Sequence, residues 1–342
     1  MRVAVDGRAL RPGAARARGV ARYLRCLLGE LERLFPGDEY ELVDPGPIRF
    51  AAAGVVGRPH LDRLVPGCEV IWLPAPAPVA VSTGMPYVLT VHDLSFEHRA
   101  RDYSRYERLW HRLARPDQLA RGAARVVCVA EPTRRAVIEE WGLDPARART
   151  VLSGPGRVPS GRASAELPEG VPDSFFLSVG ALEQRKLPIN LAMAHHRARQ
   201  AGLEAGLVFA GDGPLRGPVE TYGATVLGHV QDPVLDALYE HALAVVCVSR
   251  EEGFGFAPLE GALRGTPAIV TDLPVFSDTL GEGALRVPAG DADALADRLL
   301  RLEREPGLRD RLASAAREAA RGLSWERAAR QTRAALEEAA SG

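Results

Sequence analysis

The chain is almost without lysine. Of its 43 lysines and arginines, one is lysine, Lys186, and every other is arginine. Cysteine is scarce as well: Cys26, Cys68, Cys128 and Cys247 lie far apart and form no C-x-x-C pair. That spacing argues against a zinc site and a disulfide framework, and it fits buried thiols in a reducing cytoplasm. No apolar run approaches the ~20 residues that span a bilayer. The opening MRVAVDGRAL meets Asp6 too early for a secretory signal. The first strand is followed by DGRALRPG instead of G-x-G-x-x-G, which argues against a dehydrogenase. Net charge is −1, so the molecule as a whole does not attract nucleic acid.

What is present points to two α/β domains. At 342 residues the chain is too long for one ordinary core, and its 46% apolar and 25% charged residues are those of a globular protein. Residues 1–160 carry 24 arginines against 18 acids, while residues 161–342 carry 19 cations against 26 acids. The halves therefore either face different partners or simply differ in how their solvated helix faces are charged. VAVD, YELVD, VIWLP, YVLTVHD, ARVVCVA and ARTVLS read as strands of the first half; FFLSVGA, GLVFAGDG, ATVLGHV, AVVCVS and PAIVTD as strands of the second. Between them run helical periods, such as Val20, Tyr23, Leu24, Leu27, Leu28 and Leu31. A second stripe, Tyr106, Leu109, Trp110 and Leu113, reads as a core face. Short apolar strands alternating with helices imply parallel sheets covered on both faces. The expectation is two Rossmann-like, doubly wound domains facing across a cleft, residues 1–160 and 170–322, joined through the Pro- and Gly-rich stretch 153–174. From about Asp291 the tail reads as nearly continuous helix broken near GLSW.

In open parallel sheets ligands settle at the carboxyl ends of strands, so the loops after strands carry the chemistry. The strongest is VVCVSREEGFGFAPLEGALRGTPAIVTD, 245–272. Gly253 and Gly255 let backbone amides approach an anion, Pro258 suits the first turn of a helix, and the helix N-terminus adds partial positive charge. Glu252 and Glu260, on the loop and in the first helical turn, can grip different hydroxyls of one elongated ligand. Taken alone, the same loop is equally a glycine turn with Glu260 complementing the helix dipole. In SVGALEQRK a strand and Gly180 are followed by Arg185 and Lys186, a forked and a compact cation suited to a diphosphate. FAGDGPLR is a third strand–glycine loop, and by itself only a turn.

In order and spacing, GALEQRK, AGDGP, LGHVQD, EGFGFAPLE and GTPAIVTD resemble the C-terminal half of retaining glycosyltransferases of family 4, the bacterial group 1, mannosyltransferase-like enzymes of the GT-B fold. MRVAVDGRALRPGAARARGVARY, TVHDLSF and RVVCVAEPTRRAVIEEWGL resemble their N-terminal, acceptor-binding half. The resemblance implies that residues 170–322 bind the donor and that 323–342 form a helix crossing back to the N-terminal domain. It implies a catalytic set of His92, Glu252, Arg185 and Lys186. The cations neutralise the donor's diphosphate, Glu252 and the amides of Gly253, Phe254, Gly255 and Phe256 hold the sugar, and Glu260 meets the ribose. Gly180 lies in the same donor loop, the backbone of Gly228, His229 and Val230 meets the base, Gly19 lets an N-terminal loop close over the phosphates, and His92 flanks the anomeric carbon. In the family the leaving phosphate itself takes the acceptor's proton. With no Asp-x-Asp site where a sugar nucleotide would need one, the resemblance implies transfer without metal or resident cofactor, the nucleotide-diphosphate sugar being a co-substrate, with a lean toward GDP-mannose.

Some residues have plainer readings. Asp93 suits a turn, and His98, His111, His195, His196 and His241 read as solvated. Ala21, Ala130, Pro132, Ser153 and the residue after Lys186 depart from the family pattern; at that last position Asn or Gly is usual. Competing functions are a nucleotide-sugar epimerase or hydrolase, and a non-catalytic sugar-nucleotide-binding partner. The hydroxyl acceptor stays open between a glycan, a lipid-linked sugar and a small molecule. Arg16, Arg18, Arg22 and Arg25, with Arg105, Arg108, Arg112, Arg115 and Arg121, can draw a lipid phosphate or an anionic membrane to a cytoplasmic protein.

Overall fold

The computed structural model describes residues 1–11, 18–44, 59–156 and 165–342. These form two units, Met1–Gly154 with Ser324–Gly342, and Pro155–Leu323. Each is built on a six-stranded parallel sheet.

In the first unit the strands are β1 (Arg2–Asp6), β2 (Glu39–Val43), β3 (Val70–Leu73), β4 (Tyr87–Val91), β5 (Arg125–Cys128) and β6 (Ala148–Thr150), in spatial order β2-β1-β3-β4-β5-β6. The central strands bury every residue of β3 and β4, as expected for a sheet covered on both faces. The charged edge strand β2 leaves Glu39 and Glu41 exposed, which keeps the open edge from pairing with another chain. The period read around Tyr23 is the helix Arg18–Leu34, with Tyr23, Leu24, Leu27 and Leu31 fully buried. The helix Trp325–Ser341 packs beside it and on β3, β4 and β5. Glu338 of this helix pairs with Arg125 (2.9 Å) and Arg149 (2.6 Å), and Arg333 with Asp38 (2.7 Å).

In the second unit the strands are β7 (Phe175–Val179), β8 (Gly206–Ala210), β9 (Thr225–Gly228), β10 (Ala244–Cys247), β11 (Ala268–Thr271) and β12 (Ala284–Val287), in order β12-β11-β10-β7-β8-β9. The register sets Phe176 beside Leu207 and Ala244, and Leu177 beside Val208 and Val245. The first trio joins one buried cluster and the second another, so alternate residues of the same strands build the cores on both faces. Sequence order reverses between β7 and β10, which makes their carboxyl ends the switch point of the sheet.

Eleven strands fall where the sequence placed them; β12 was not foreseen. Its run is only four residues, and Arg286 interrupts it at a half-buried position of an edge strand. The tail has a second break, at Glu305, between the helices Ala292–Arg304 and Pro306–Arg321. The stripe at 106–113 does lie on a helix, Arg105–Ala114, but only part of it faces the core: Trp110 packs against the buried cluster and Leu113 is half-buried. Tyr106 is 53% and Leu109 41% exposed. His195 is buried, its Nε2 donating to the Ala205 carbonyl at 2.9 Å, and His111 is half-buried against Phe96 and Tyr103; neither is solvated. The GVARY segment is the start of a helix and not a loop: Gly19 is its second residue, and nothing from Arg18 to Leu34 supplies a turn. The preceding residues, Arg16 among them, lie outside the described residues, as does part of the stretch between the two sheets.

Candidate active site

The second unit gathers its chemistry where β7 and β10 end. After β7 the chain passes Gly180, turns through a short 3₁₀ segment, Gln184–Lys186, and enters the helix Pro188–Gln200. Leu187, between them, takes a left-handed conformation with φ 50°, a region that Asn or Gly occupies at little cost. The departure from the family pattern noted at this position is therefore a strained leucine, held because its side chain is buried. Arg185 and Lys186 are thereby fixed on the loop, not on a mobile tail.

After β10 the chain runs through Ser249 and Glu252 to the helix Phe256–Leu263. Lys186 and Glu252, far apart in sequence, form an ion pair in which the carboxylate is only 8% exposed. Ser249 Oγ donates to the same carboxylate at 2.7 Å, and Cys247 Sγ at 3.7 Å. Burial by itself would push the Glu252 carboxyl up. The positive charges of Lys186 and Arg185, with the hydrogen bonds from Lys186 and Ser249, outweigh it and hold the group down to about 2. Burial, then the charge of Glu252, push the Cys247 thiol up to about 12, so it stays a neutral donor. Arg185 Nη1 donates to the Glu251 carbonyl at 3.0 Å, and the Arg250 amide to the Arg185 carbonyl at 2.9 Å, lacing the two loops together. A pocket of about 20 Å³, room for roughly one water, lies beside them, lined in part by Gly180, Lys186, Cys247 and Ser249.

The glycines of the two flanking loops allow close approach. A Cβ on Gly211, in AGDGP, would meet the Gly180 carbonyl oxygen at 1.8 Å, and Gly211 also bridges to Gly228 at the end of β9. The loop after β8 is thus pressed against the loop after β7, with the Gly180 amide donating to Ala210 and the Leu182 amide to Asp212, both at 3.1 Å. Gly228 has φ 70°, His229 is exposed and Val230 half-buried. Gly255 opens the helix at φ 80°, and a Cβ there would come within 2.5 Å of the Phe276 ring. Phe254 is buried and its ring lies 5.0 Å from that of Phe256; Gly253 is half-buried.

Glu260 stands in the second turn of its helix, not the first. It is 2% exposed and accepts from the Tyr239 hydroxyl at 2.9 Å. Tyr239 comes from the helix Asp232–His241, which Arg264, its side chain 4% exposed, ties down through Asp236 (2.7 Å) and Glu240 (3.0 Å). Local sequence held no signal for that partner. Cys247 and Ser249 were also missed as partners of Glu252, although their places five and three residues before it, at the end of a strand, were a usable clue.

In the first unit His92 follows β4. Its Nε2 lies 2.9 Å from the Pro74 carbonyl and donates to it, and its ring meets the Tyr23 ring edge-on at 4.9 Å. Burial moves the imidazole below its ordinary range and so favours its neutral form. Asp93 accepts from the Ser95 amide at 3.0 Å, the act of a turn residue. Among the described residues no cluster of His, Cys, Asp and Glu could hold a metal ion.

Two doubly wound parallel sheets are the architecture of the GT-B fold. Residues 162–319 match the family described as "Glycosyl transferases group 1", and residues 17–154 match "Glycosyltransferase Family 4". Residues 162–319 thus form a group 1 glycosyltransferase domain and residues 17–154 a family 4 glycosyltransferase domain. The chain is 30% identical over 250 residues to a D-inositol 3-phosphate glycosyltransferase of Kribbella flavida, covering 66% of this chain and 58% of that protein. Over 82 residues it is 42% identical to a phosphatidyl-myo-inositol mannosyltransferase of Mycobacterium leprae, 23% of this chain and 22% of the relative. It thus spans under two thirds of these relatives' length. The fold is that of a sucrose-phosphate synthase from Thermosynechococcus elongatus, with TM-score 0.70 at 18% identity over 99% of this chain and 98% of the other.

Proposed function

We propose that this chain transfers a hexosyl unit from a nucleotide-diphosphate sugar to a hydroxyl acceptor with retention of configuration, without metal or resident cofactor, in the cytoplasm. The observation that carries the reading is the Lys186–Glu252 pair at the β7/β10 switch point, inside an E-x7-E segment. A diphosphate is the natural competitor for Lys186: it offers two charges where Glu252 offers one, and Arg185 stands beside it. Charge builds on the departing phosphate as the glycosidic bond breaks. Cations already in place there lower the barrier without reorganisation, which is the work a metal would otherwise do. Glu252, released, accepts a sugar hydroxyl, and Glu260 the ribose. The leaving phosphate takes the acceptor's proton, so no separate carboxylate base is needed, and His92 contributes a neutral imidazole from the first unit.

The relatives that act on inositol phosphates and transfer mannose support a donor of the GDP-mannose type and an anionic or lipid-borne acceptor. Peripheral contact with an anionic membrane is supported by the helix Arg105–Ala114, which exposes Tyr106 and Leu109 among Arg105, Arg108 and Arg112. No described helix is long and apolar enough to cross a membrane.

The test is a thermal-shift panel of GDP, UDP and ADP with their hexose conjugates, run with and without EDTA. One nucleotide series should stabilise the wild type equally in both conditions, and Lys186→Ala should abolish the shift. A shift that needs Mg2+ overturns the metal-free part, and no shift with any diphosphate overturns the reading.

A further inference from the structure

Glu252 is held by one of its two oxygens. The Lys186 ammonium, the Ser249 hydroxyl and the Cys247 thiol all donate to Oε1, and none of the three reaches Oε2. Two of these donors are neutral and come from one strand end: Cys247 closes β10, and Ser249 follows two residues on, the spacing that returns a side chain to the same face. Their platform is fixed on both sides. The Ser249 amide donates to Thr271 Oγ1 at the end of β11 (2.8 Å), and the next amide, that of Arg250, donates to the Arg185 carbonyl after β7.

The proposed transfer raises a difficulty for Glu252. Once a diphosphate competes for Lys186, the carboxylate loses its cationic partner at the moment it must meet a sugar hydroxyl. A carboxylate released into a loop would keep several rotamers and lose much of its value as an oriented acceptor. Ser249 and Cys247 do not have that conflict, because neither is a charge that the diphosphate would draw away.

We propose that Ser249 and Cys247 are positioning residues for the transfer: they hold Glu252 by Oε1 so that Oε2 is presented to a hydroxyl of the donor's sugar, whatever Lys186 is bound to. The inference rests on the transferase reading above. Its distinctive consequence is that these two side chains affect recognition of the sugar and not of the diphosphate. A merely structural role would weaken both ligands together.

Calorimetric titration of the full chain separates these outcomes, using GDP against GDP-mannose and UDP against UDP-glucose, the pair chosen by whichever diphosphate binds. The reading is the ratio of the two dissociation constants. Ser249→Ala should shift that ratio about tenfold against the sugar conjugate, with diphosphate affinity within about twofold of wild type, the size expected for losing one hydrogen bond to a charged group. Adding Cys247→Ala should widen the shift. Cys247→Ser should leave the ratio at the wild-type value, and Ser249→Cys, which keeps a weaker donor of similar size and spares the fold, should fall between. An unchanged ratio in Ser249→Ala and in the double variant overturns the inference while leaving the transferase reading intact. Parallel weakening of both ligands overturns it too. A wild type that binds neither pair overturns the transferase reading and this inference with it.

Discussion

Glu252 sits deeper in its charge environment than any property of its own residue type would set. Its folded-state carboxyl lies at about 2 against an ordinary 4.5, so it stays ionised in the folded chain over a range where the unfolded chain is protonated. A depressed carboxylate stabilises the folded form above its unfolded value, and that stability is lost as pH falls through the folded one. The wild type should therefore lose stability from about pH 4.5 down toward 2. Glu252→Gln should begin less stable at neutral pH and show a shallower acid limb, followed by urea midpoints across that range. A limb of unchanged slope would mean that the carboxylate is not held by Lys186. The pairing itself was not legible beforehand: Arg185, Lys186 and Glu252 were visible as a diphosphate and sugar set, but nothing in the local sequence says that a lysine and a glutamate 66 residues apart share a bond. That follows only when β7 and β10 become neighbours.

Elements were read well where their pattern is local. Buried strands such as VIWL and the Tyr23 helix declare themselves by period. The misreadings came where neighbours decide. At Tyr106 and Leu109 an apolar spacing is real, yet both side chains are exposed, and β12 is strand because β11 supplies its hydrogen bonds despite Arg286. The AGDGP turn is similar: its glycines matter because another loop lies against them. Gly211→Ala must push a methyl group into the Gly180 carbonyl, and overpacking of this kind costs about 1–3 kcal/mol. A lowered melting temperature with weakened nucleotide binding is expected, whereas Gly217→Ala, with open space around it, should leave both nearly unchanged. The exposed helix Arg105–Ala114 gives a second expectation at this scale. Wild type should co-sediment with anionic vesicles at low salt, and reversing Arg105, Arg108 and Arg112 to Glu should abolish it. Wild type left in the supernatant would dismiss the membrane contact.

At the scale of the molecule, the chain's last helix belongs to its first sheet. Ala328, Ala329, Ala335 and Leu336 of Trp325–Ser341 are fully buried in the unit that begins at Met1. Gly154 leaves no room for a side chain beside Trp325, where a Cβ would come within 2.5 Å of the indole. Ending the chain at Leu323 should strip that core and leave the first unit open to protease, while Pro155–Leu323 persists as a resistant fragment identifiable by mass. Equal survival of both units would show that the helix is dispensable.

The scarcity of lysine gives the Lys186–Glu252 contact a practical side. An amine-directed label, apart from the chain's first nitrogen, finds a single side chain to modify, and that side chain stands at the proposed donor site. Here one reagent and one mass increment would report, molecule by molecule, whether that seat is taken.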